Sequence, residues 1–503
     1  MQNRTRLTGL RFFYLCSGSR GCWCKDFFMR FILILLSLLA VAVEPRAQQS
    51  KGTPTYYASF RSYASGGREL PFWFRSNQNG TLPAANNFTQ LLQTGFYRNL
   101  AAETSTTWDY FMGAELVAGY AGKPYFQPNQ YWLGGRYRWL VVKAGAMADP
   151  LRYGGLSSTN GNLDASGNSR PVPDISLSSN GYVPFPYFGS PVSWKAHYSE
   201  GVLWDNGYLQ KARLHHKNLY FKVDLPTEWS IAAGIEHYVF WGGVSPSDGK
   251  VSVRWGEYLY FVSGIRLGSG SKGGAGVNLP ENHLGIYSME ICKRWQGNHV
   301  AFYWNHPFEN RAGLELANAA DGLFGIHLKR NEDFPYLSEV VYEWMNTFGQ
   351  GYDSATGSAQ DYFNDQTYRS GFTHFAQMMG SPLFVPKLNA DGGAAGFPNN
   401  RIRMHHLGLK GSLLTNLEWK LMITFSNNQG SFDAAFPATV GQFSFLSELN
   451  YQLPRLPLQV SAAVAGDSGK LNEDRAGVFL GIRWEPRQDA DRWRGNWIIR
   501  KRR

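Results

Sequence analysis

The regular apolar patterns in this chain repeat with a period of two, and this limits its possible folds more than any other feature. In 417–425, Leu417, Trp419, Leu421, Ile423 and Phe425 alternate with Glu418, Lys420, Met422 and Thr424. In 477–484, Val478, Leu480, Ile482 and Trp484 oppose Gly477, Phe479, Gly481 and Arg483. In 192–198, Val192, Trp194, Ala196 and Tyr198 oppose Ser193, Lys195 and His197. The alternation recurs at 219–223, 231–239, 300–304, 324–328, 340–344, 443–451 and 458–464. Period two belongs to strands with one apolar and one polar face. No stretch of comparable length has a convincing 3.6-residue period. Residues 87–100 come nearest, through Phe88, Leu91, Leu92 and Phe96, but Gly95 interrupts them and a strand fits equally well. The chain is expected to be all-β.

The one long apolar run, 31–43, is about 13 residues, too short to span a bilayer as a helix. Arg30 precedes it and Pro45-Arg46-Ala47 follows, which is the layout of a secretory signal. Residues 1–47 are expected to be a signal peptide, with Met29 a better start than Met1. Cys16, Cys22 and Cys24 lie upstream of the run. The exported part keeps only Cys292, so it is expected to have no internal disulfide and no cysteine-based zinc site.

The formal net charge of +11 raises the question of a nucleic-acid partner. Its distribution removes the question. Residues 1–47 hold seven basic and two acidic residues, and 485–503 hold seven basic and three acidic. Subtracting +5 and +4 leaves +2 for 48–484. No nucleic acid is expected, and 485–503 reads as a basic tail after the body. Charged residues are only 17% of the chain, whereas aromatics are abundant (17 Trp, 27 Tyr, 33 Phe), which excludes a disordered chain.

An all-β chain of this length could form soluble sandwiches, a propeller or a solenoid, or a transmembrane barrel. A propeller repeat is absent from the sequence. The apolar faces are often capped by Trp or Tyr, among them Trp194, Tyr198, Trp241, Trp295, Trp304, Trp344, Tyr451 and Trp484. Such rings suit a headgroup interface. Connections alternate between tight, as at 296–298 and 453–457, and long, as at 346–371 and 380–400. An exported chain without long apolar helices crosses a bilayer only as a closed barrel. Residues 48–484 would supply roughly 16 to 20 strands. The expected fold is a transmembrane antiparallel β-barrel of about 18 strands in the outer membrane.

Several blocks then become informative in order: 71–78 (PFWFRSNQ), 137–140 (YRWL), 156–158 with 168–173 (LSS, NSRPVP), 214–217 (LHHK), 234–237 with 241–243 (GIEH, WGG), 380–383 (GSPL) and 400–408 (NRIRMHHLG). Together they resemble the capsule assembly (Wzi-like) family in the form common in Bacteroidetes, over roughly residues 55–484. The resemblance implies an outer-membrane barrel, about 18-stranded in enteric relatives. It implies a lectin-like role, without catalysis, in holding capsular polysaccharide at the cell surface. The clear N-terminal periplasmic helical segment of the enteric pattern is missing here.

Other motifs carry less. Residues 268–273 match G-x-G-x-x-G, but Gly274 to Pro280 cannot start the helix that a dinucleotide site needs. His215-His216 and His405-His406 suggest a metal, yet neighbours on a strand point to opposite faces, and hydrogen bonding inside a polar lumen is the simpler role. Glu236-His237 with Asp205 could be written as part of a triad, but no nucleophile has a distinctive context, so no catalytic residue and no cofactor are expected. Lys195, Glu339, Glu343, Glu418, Lys420 and Arg483 fall on the polar, lumen-facing side.

A glycan site would use aromatic faces on sugar rings with polar groups on the hydroxyls. The long loops offer Arg152, Tyr153, Asn160, Asn162 and Asn168, and Tyr352, Asp353, Asp361, Tyr362, Asn364, Asp365 and Tyr368. The expected partners are capsular or other surface polysaccharide, outer-membrane lipid, and the barrel-assembly machinery during insertion. A porin-like transport channel is the rival reading.

Overall fold

The structure, a computed structural model, describes residues 54–486 apart from 84–85, 101–106, 187–190, 206, 247–248, 252, 265–280, 332–334 and 352–359. The signal segment, residues 487–503 of the tail, the glycine-rich 268–273, Tyr352 and Asp353 therefore lie outside the described residues.

Eighteen strands close into one antiparallel barrel. The first half is β1 (Thr55–Ser65), β2 (Phe88–Arg98), β3 (Trp108–Tyr120), β4 (Pro124–Tyr137), β5 (Leu140–Ala146), β6 (Asp174–Ser179), β7 (Val192–Val202), β8 (Arg213–Asp224) and β9 (Trp229–Trp241). The second half is β10 (Glu281–Trp295), β11 (Asn298–Phe308), β12 (Gly322–Lys329), β13 (Glu339–Asn346), β14 (Ile402–Leu414), β15 (Leu417–Gly430), β16 (Ala435–Gln452), β17 (Leu458–Gly469) and β18 (Arg475–Trp484). Each pairs with the next, a two-residue piece at Val183–Pro184 extends the pairing of β7, and β1 pairs with β18 from Ala58↔Trp484 to Ser65↔Gly477. The ambiguous 87–100 segment is a strand.

Alternation decides the two surfaces. In β18, Val478, Leu480 and Ile482 are exposed on the outside, while Gly477 and Gly481 are buried. In β13, Glu339, Val341, Glu343 and Met345 point inward and are buried, and Tyr342 is exposed. Leu219, Phe221, Ile231, Ile235, Ile326 and Phe425 continue the exposed outer belt. A contiguous apolar surface of this size is not left in water. With every strand edge paired, the barrel has the form that hydrocarbon allows.

Parity sorts the connections. Those after even-numbered strands include 138–139, 225–228, 296–297 and 415–416. Gln296 and Gly297 have φ of 44° and 80°, a type I′ hairpin in which glycine fits the second position. The start of β1 and the end of β18 lie at this same short-turn end. Connections after odd-numbered strands include 66–87, 147–173, 242–280 and 347–401. Outer-membrane barrels keep short turns on the periplasmic side and long loops outside, so these four form the outer end. Among the described residues they carry two α-helices, α1 (Phe72–Arg75) and α2 (Trp255–Ser263).

Replacing Leu480 by Arg on the outer belt is expected to cost about 2–4 kcal/mol, read as a lowered urea midpoint of the vesicle-reconstituted barrel.

Candidate functional site

The long outer loops turn inward and fill the lumen. Leu156, Leu163, Tyr362, Phe363, Phe372, Met378, Phe384 and Phe397 from 147–173 and 347–401 form one apolar cluster with Tyr238, Phe240, Ile286, Leu323 and Met345 of the wall. Burying each large side chain contributes roughly 1.5–3 kcal/mol. A second cluster packs Leu70, Phe72, Trp73, Phe74 and Leu82 of 66–87 against Leu91, Met422 and Leu446.

Polar wall residues fix these loops in place. Glu343, fully buried, accepts the Ser158 N–H at 2.8 Å, the Tyr303 hydroxyl at 2.6 Å and the hydroxyls of Ser157 and Ser158. His406 meets the Leu156 carbonyl through Nε2 at 2.7 Å and the Thr424 hydroxyl through Nδ1 at 2.8 Å. A carbonyl only accepts, so Nε2 carries the proton and the ring is held in one tautomer. Asn305 accepts the Leu163 N–H at 3.1 Å. The inward charges expected from alternation thus act as anchors for the loop that enters the lumen.

That loop carries five of the twelve predicted glycan residues. Tyr153, Gly154 and Gly155 have φ of 50°, 65° and 72°, which reverses the chain deep in the lumen. A Cβ on Gly154 would sit 2.2 Å from Glu339 Oε2, so this approach needs glycine. Tyr153 stacks on Tyr303 at 4.3 Å and donates its hydroxyl to Glu290, which also takes Arg152 at 2.6 Å. Burial, opposed by the Arg152 charge and reinforced by Glu290, pushes the Tyr153 phenol up, so it stays a donor. Asn160 accepts the Arg152 N–H at 2.7 Å and donates to the Pro150 carbonyl at 3.0 Å. Asn162 donates to Glu236 at 3.2 Å. Asn168 ties three loops together: it accepts the Asn77 N–H at 3.2 Å and donates to the Met378 carbonyl at 3.0 Å.

The 347–401 residues are likewise internal. Tyr362 is fully buried and donates to Asp321 at 2.9 Å. Asp361 accepts Asn400 at 2.6 Å and Asn364 at 3.0 Å. Asp365 accepts the N–H groups of Thr367 and Tyr368 at 2.8 and 2.7 Å. Tyr368 is buried on Phe240, with ring centroids 5.4 Å apart. Exposure at the outer side, expected from loop length, holds for none of these side chains; Arg152 is exposed, but into the luminal cavity beside Glu290. The two stretches 346–371 and 380–400 belong to one connection, joined by a hairpin of Thr373–His374 with Gln377–Met378.

Two cavities flank the 147–173 loop. One, of about 630 Å³, is lined by Lys195, His197, His216, Tyr220, Glu236 and Glu290 of the wall, with Arg152, Tyr153 and Asn160. The other, of about 520 Å³, is lined by Arg61, Lys420, Glu448, Asn450 and Arg483. Most of these wall residues belong to the short-turn half of their strands. The histidine pairs split as strand geometry requires: His406 is buried inside and His405 bonds the exposed Tyr342 outside. Glu236, His237 and Asp205 do not assemble. Glu236 faces the lumen, His237 meets His283 on the outer face, and Asp205 accepts the Phe375 N–H at 2.7 Å. Among the described residues no group of three His, Cys, Asp or Glu side chains could hold a metal ion.

The outer surface itself exposes residues that the sequence reading passed over. Trp204, on the 203–212 connection, is 63% exposed. Tyr208 is on the same connection; Arg369 lies 4.8 Å over its ring, and the Tyr208 N–H bonds Ser370 at 2.7 Å. Phe375 and Ala376 at the hairpin tip have φ of 51° and 58°, unusual for residues with side chains, and Arg170 lies 3.8 Å over the Phe375 ring. The clue in the sequence was Trp204 set directly before the turn-forming Asp205-Asn206-Gly207.

No family model matches the chain, and no curated protein matches it. Among solved structures it is similar to Wzi of Escherichia coli, an outer-membrane protein involved in group 1 capsule assembly and a carbohydrate-binding β-barrel. The TM-score is 0.54 and the identity 12%, over 91% of this chain and 88% of that one. OccK5 of Pseudomonas aeruginosa aligns with a TM-score of 0.46 and 9% identity, over 86% and 97% of the two chains. The fold is that of an outer-membrane β-barrel, closed by 18 strands, and the chain belongs in that membrane.

Replacing Glu343 by Gln leaves a neutral acceptor among four donors, and is expected to loosen the loop by roughly 1–3 kcal/mol, read as faster hydrogen exchange at 156–163. Asp164 gives a pH prediction. Neither of its oxygens has a hydrogen-bond partner among the described residues, and burial, with Glu236 beside it, pushes its carboxyl well above the usual carboxylate range. Between the ordinary carboxylate pKa and this raised value, the folded chain holds a proton that the unfolded chain releases. Stability therefore falls as pH rises through that window. Urea midpoints measured across pH should lose this slope in Asp164→Asn.

Proposed function

We propose that this chain binds or anchors capsular or other surface polysaccharide at its outer face, without chemical turnover. The observation that carries the reading is the outer end itself: loops fixed by buried anchors pack into the lumen, while Trp204, Arg369 and Phe375 stand at its surface, with half-buried Tyr208 beneath Arg369. Exposed aromatic faces beside guanidinium groups suit sugar rings and their hydroxyl or acidic substituents. The similarity to a carbohydrate-binding barrel agrees with this. A polymer repeats its epitope at high local concentration, so weak contacts suffice.

In this reading Asn168, Asp361, Tyr362, Asp365 and Tyr368 hold the loops that carry the surface, and Arg152, Tyr153 and Asn160 meet any glycan that reaches the lumen. Lipid and the barrel-assembly machinery are the remaining partners, and nucleic acid has no part.

The test compares wild type, a deletion strain and Trp204→Ala for cell-associated capsule, and measures polysaccharide retention by the purified barrel. Trp204→Ala is expected to weaken retention roughly tenfold, about 1.4 kcal/mol, the order of one aromatic contact. Unchanged capsule in the deletion strain, with no retention by the wild-type barrel, defeats the reading.

A further inference from the structure

The outer faces of β7 to β10 are divided into two tiers. Toward the short-turn end they carry Trp194, Ala196, Leu219, Phe221, Ile231, Ile235 and Met289, as lipid requires. Toward the outer end the same face carries Glu200, His215, Lys217, His237 and His283. Ionisable groups on a lipid-facing wall cost up to about 2–4 kcal/mol each at mid-membrane, so these need cover.

Helix α2 provides it from outside the barrel. The Tyr258 hydroxyl donates to Glu200 at 2.6 Å, and Glu200 also meets His215 at 2.7 Å and the Trp241 indole N–H at 3.2 Å. Lys217 donates to the Val262 carbonyl at the end of the helix. His215, His237, His283 and Val239 are buried beneath. The inner face of α2 is Tyr258, Phe261 and Val262, and Phe261 is fully buried.

The opposite face is also apolar. Trp255 is 81% exposed and Leu259, one turn later, 63% exposed, with Tyr260 beside them. A helix that is apolar on both faces is covered on both. We infer that the second cover is lipid: α2 lies in the outer interface of the membrane, a strap that screens the ionisable cluster from hydrocarbon and holds Trp255–Ser263 to the bilayer surface. Three observations place it there. The exposed belt of Ile231 and Ile235 runs up the same strand to the residues α2 covers. Counting the roughly ten residues that cross a bilayer from Trp229, at the short-turn rim of β9, reaches Val239 under the helix. Trp and Tyr are the side chains that settle at this depth, while the first turn keeps Arg254 and Glu257 together, the Arg254 N–H donating to Glu257 at 2.7 Å.

Spin labels test this in the full-length protein reconstituted in phosphatidylcholine vesicles, with Cys16, Cys22, Cys24 and Cys292 all replaced by Ala as background. Labels at Leu259→Cys and Trp255→Cys are compared with Ile235→Cys on the belt and Asp391→Cys on an outer loop. Retained heat-modifiable migration marks the variants that fold. Labels on α2 should collide with oxygen and be shielded from a water-soluble nickel chelate, like the label at 235. Nickel access equal to that at 391 overturns the inference in favour of water. Shielding from both reagents overturns it in favour of a protein neighbour, such as a second copy of the chain.

Discussion

A backbone amide in hydrocarbon has no water to bond, so a strand that crosses a membrane must be paired along both edges. In this chain that condition is completed by the register of 58–65 against 477–484, which joins the first strand to the last. Without that seam two edges would be left open, and the alternation of every other strand would lose its meaning, because inside and outside are defined only by closure. The seam also fixes the ends. It places the start of β1 and the end of β18 with the short turns and so sends the longest connections, 66–87, 147–173, 242–280 and 347–401, to the opposite mouth.

Closure creates a polar interior large enough to need filling. The chain fills it with its own loops, using two kinds of contact. Phenylalanines and methionines carried by the loops supply an apolar core, and wall residues such as Glu343, Asn305 and His406 supply directional bonds that set the depth and register of the loop. A buried carboxylate with four donors is expensive to disturb, which is why this anchoring holds a long loop in one place. The remaining space is divided into cavities lined largely by the short-turn halves of the strands.

Much of this was legible in the sequence. Period two gave the all-β class. Tight pairs such as Gln296-Gly297 gave hairpins, and the alternation in 340–344, with Glu339 just before it, correctly turned Glu339 and Glu343 inward. The loops were harder to read. Residues 347–401 look wet from Asp361, Asn364 and Asp365, yet the same stretch holds Phe363, Phe372, Met378, Met379, Phe384 and Phe397, more large apolar side chains than a solvated loop carries. That surplus is the signature of a segment that packs, but it has no period, because irregular loops present side chains at irregular intervals. Pattern reading therefore could not reveal that Tyr362 and Tyr368 are internal. Helix α2 escaped notice for a related reason: its apolar residues point to two covers, so 255–263 shows no single stripe.

A lumen packed with anchored loops and an exposed aromatic surface belong together if the protein holds a polymer outside the cell, since nothing then has to pass through it. The most direct measurement is single-channel recording of the purified barrel in a planar bilayer. A lumen filled by anchored loops should give no stable conductance steps, and steps should emerge when the Glu343 anchor is removed together with the apolar contacts of 156–163. Steady, porin-sized steps from the wild-type protein would contradict the account.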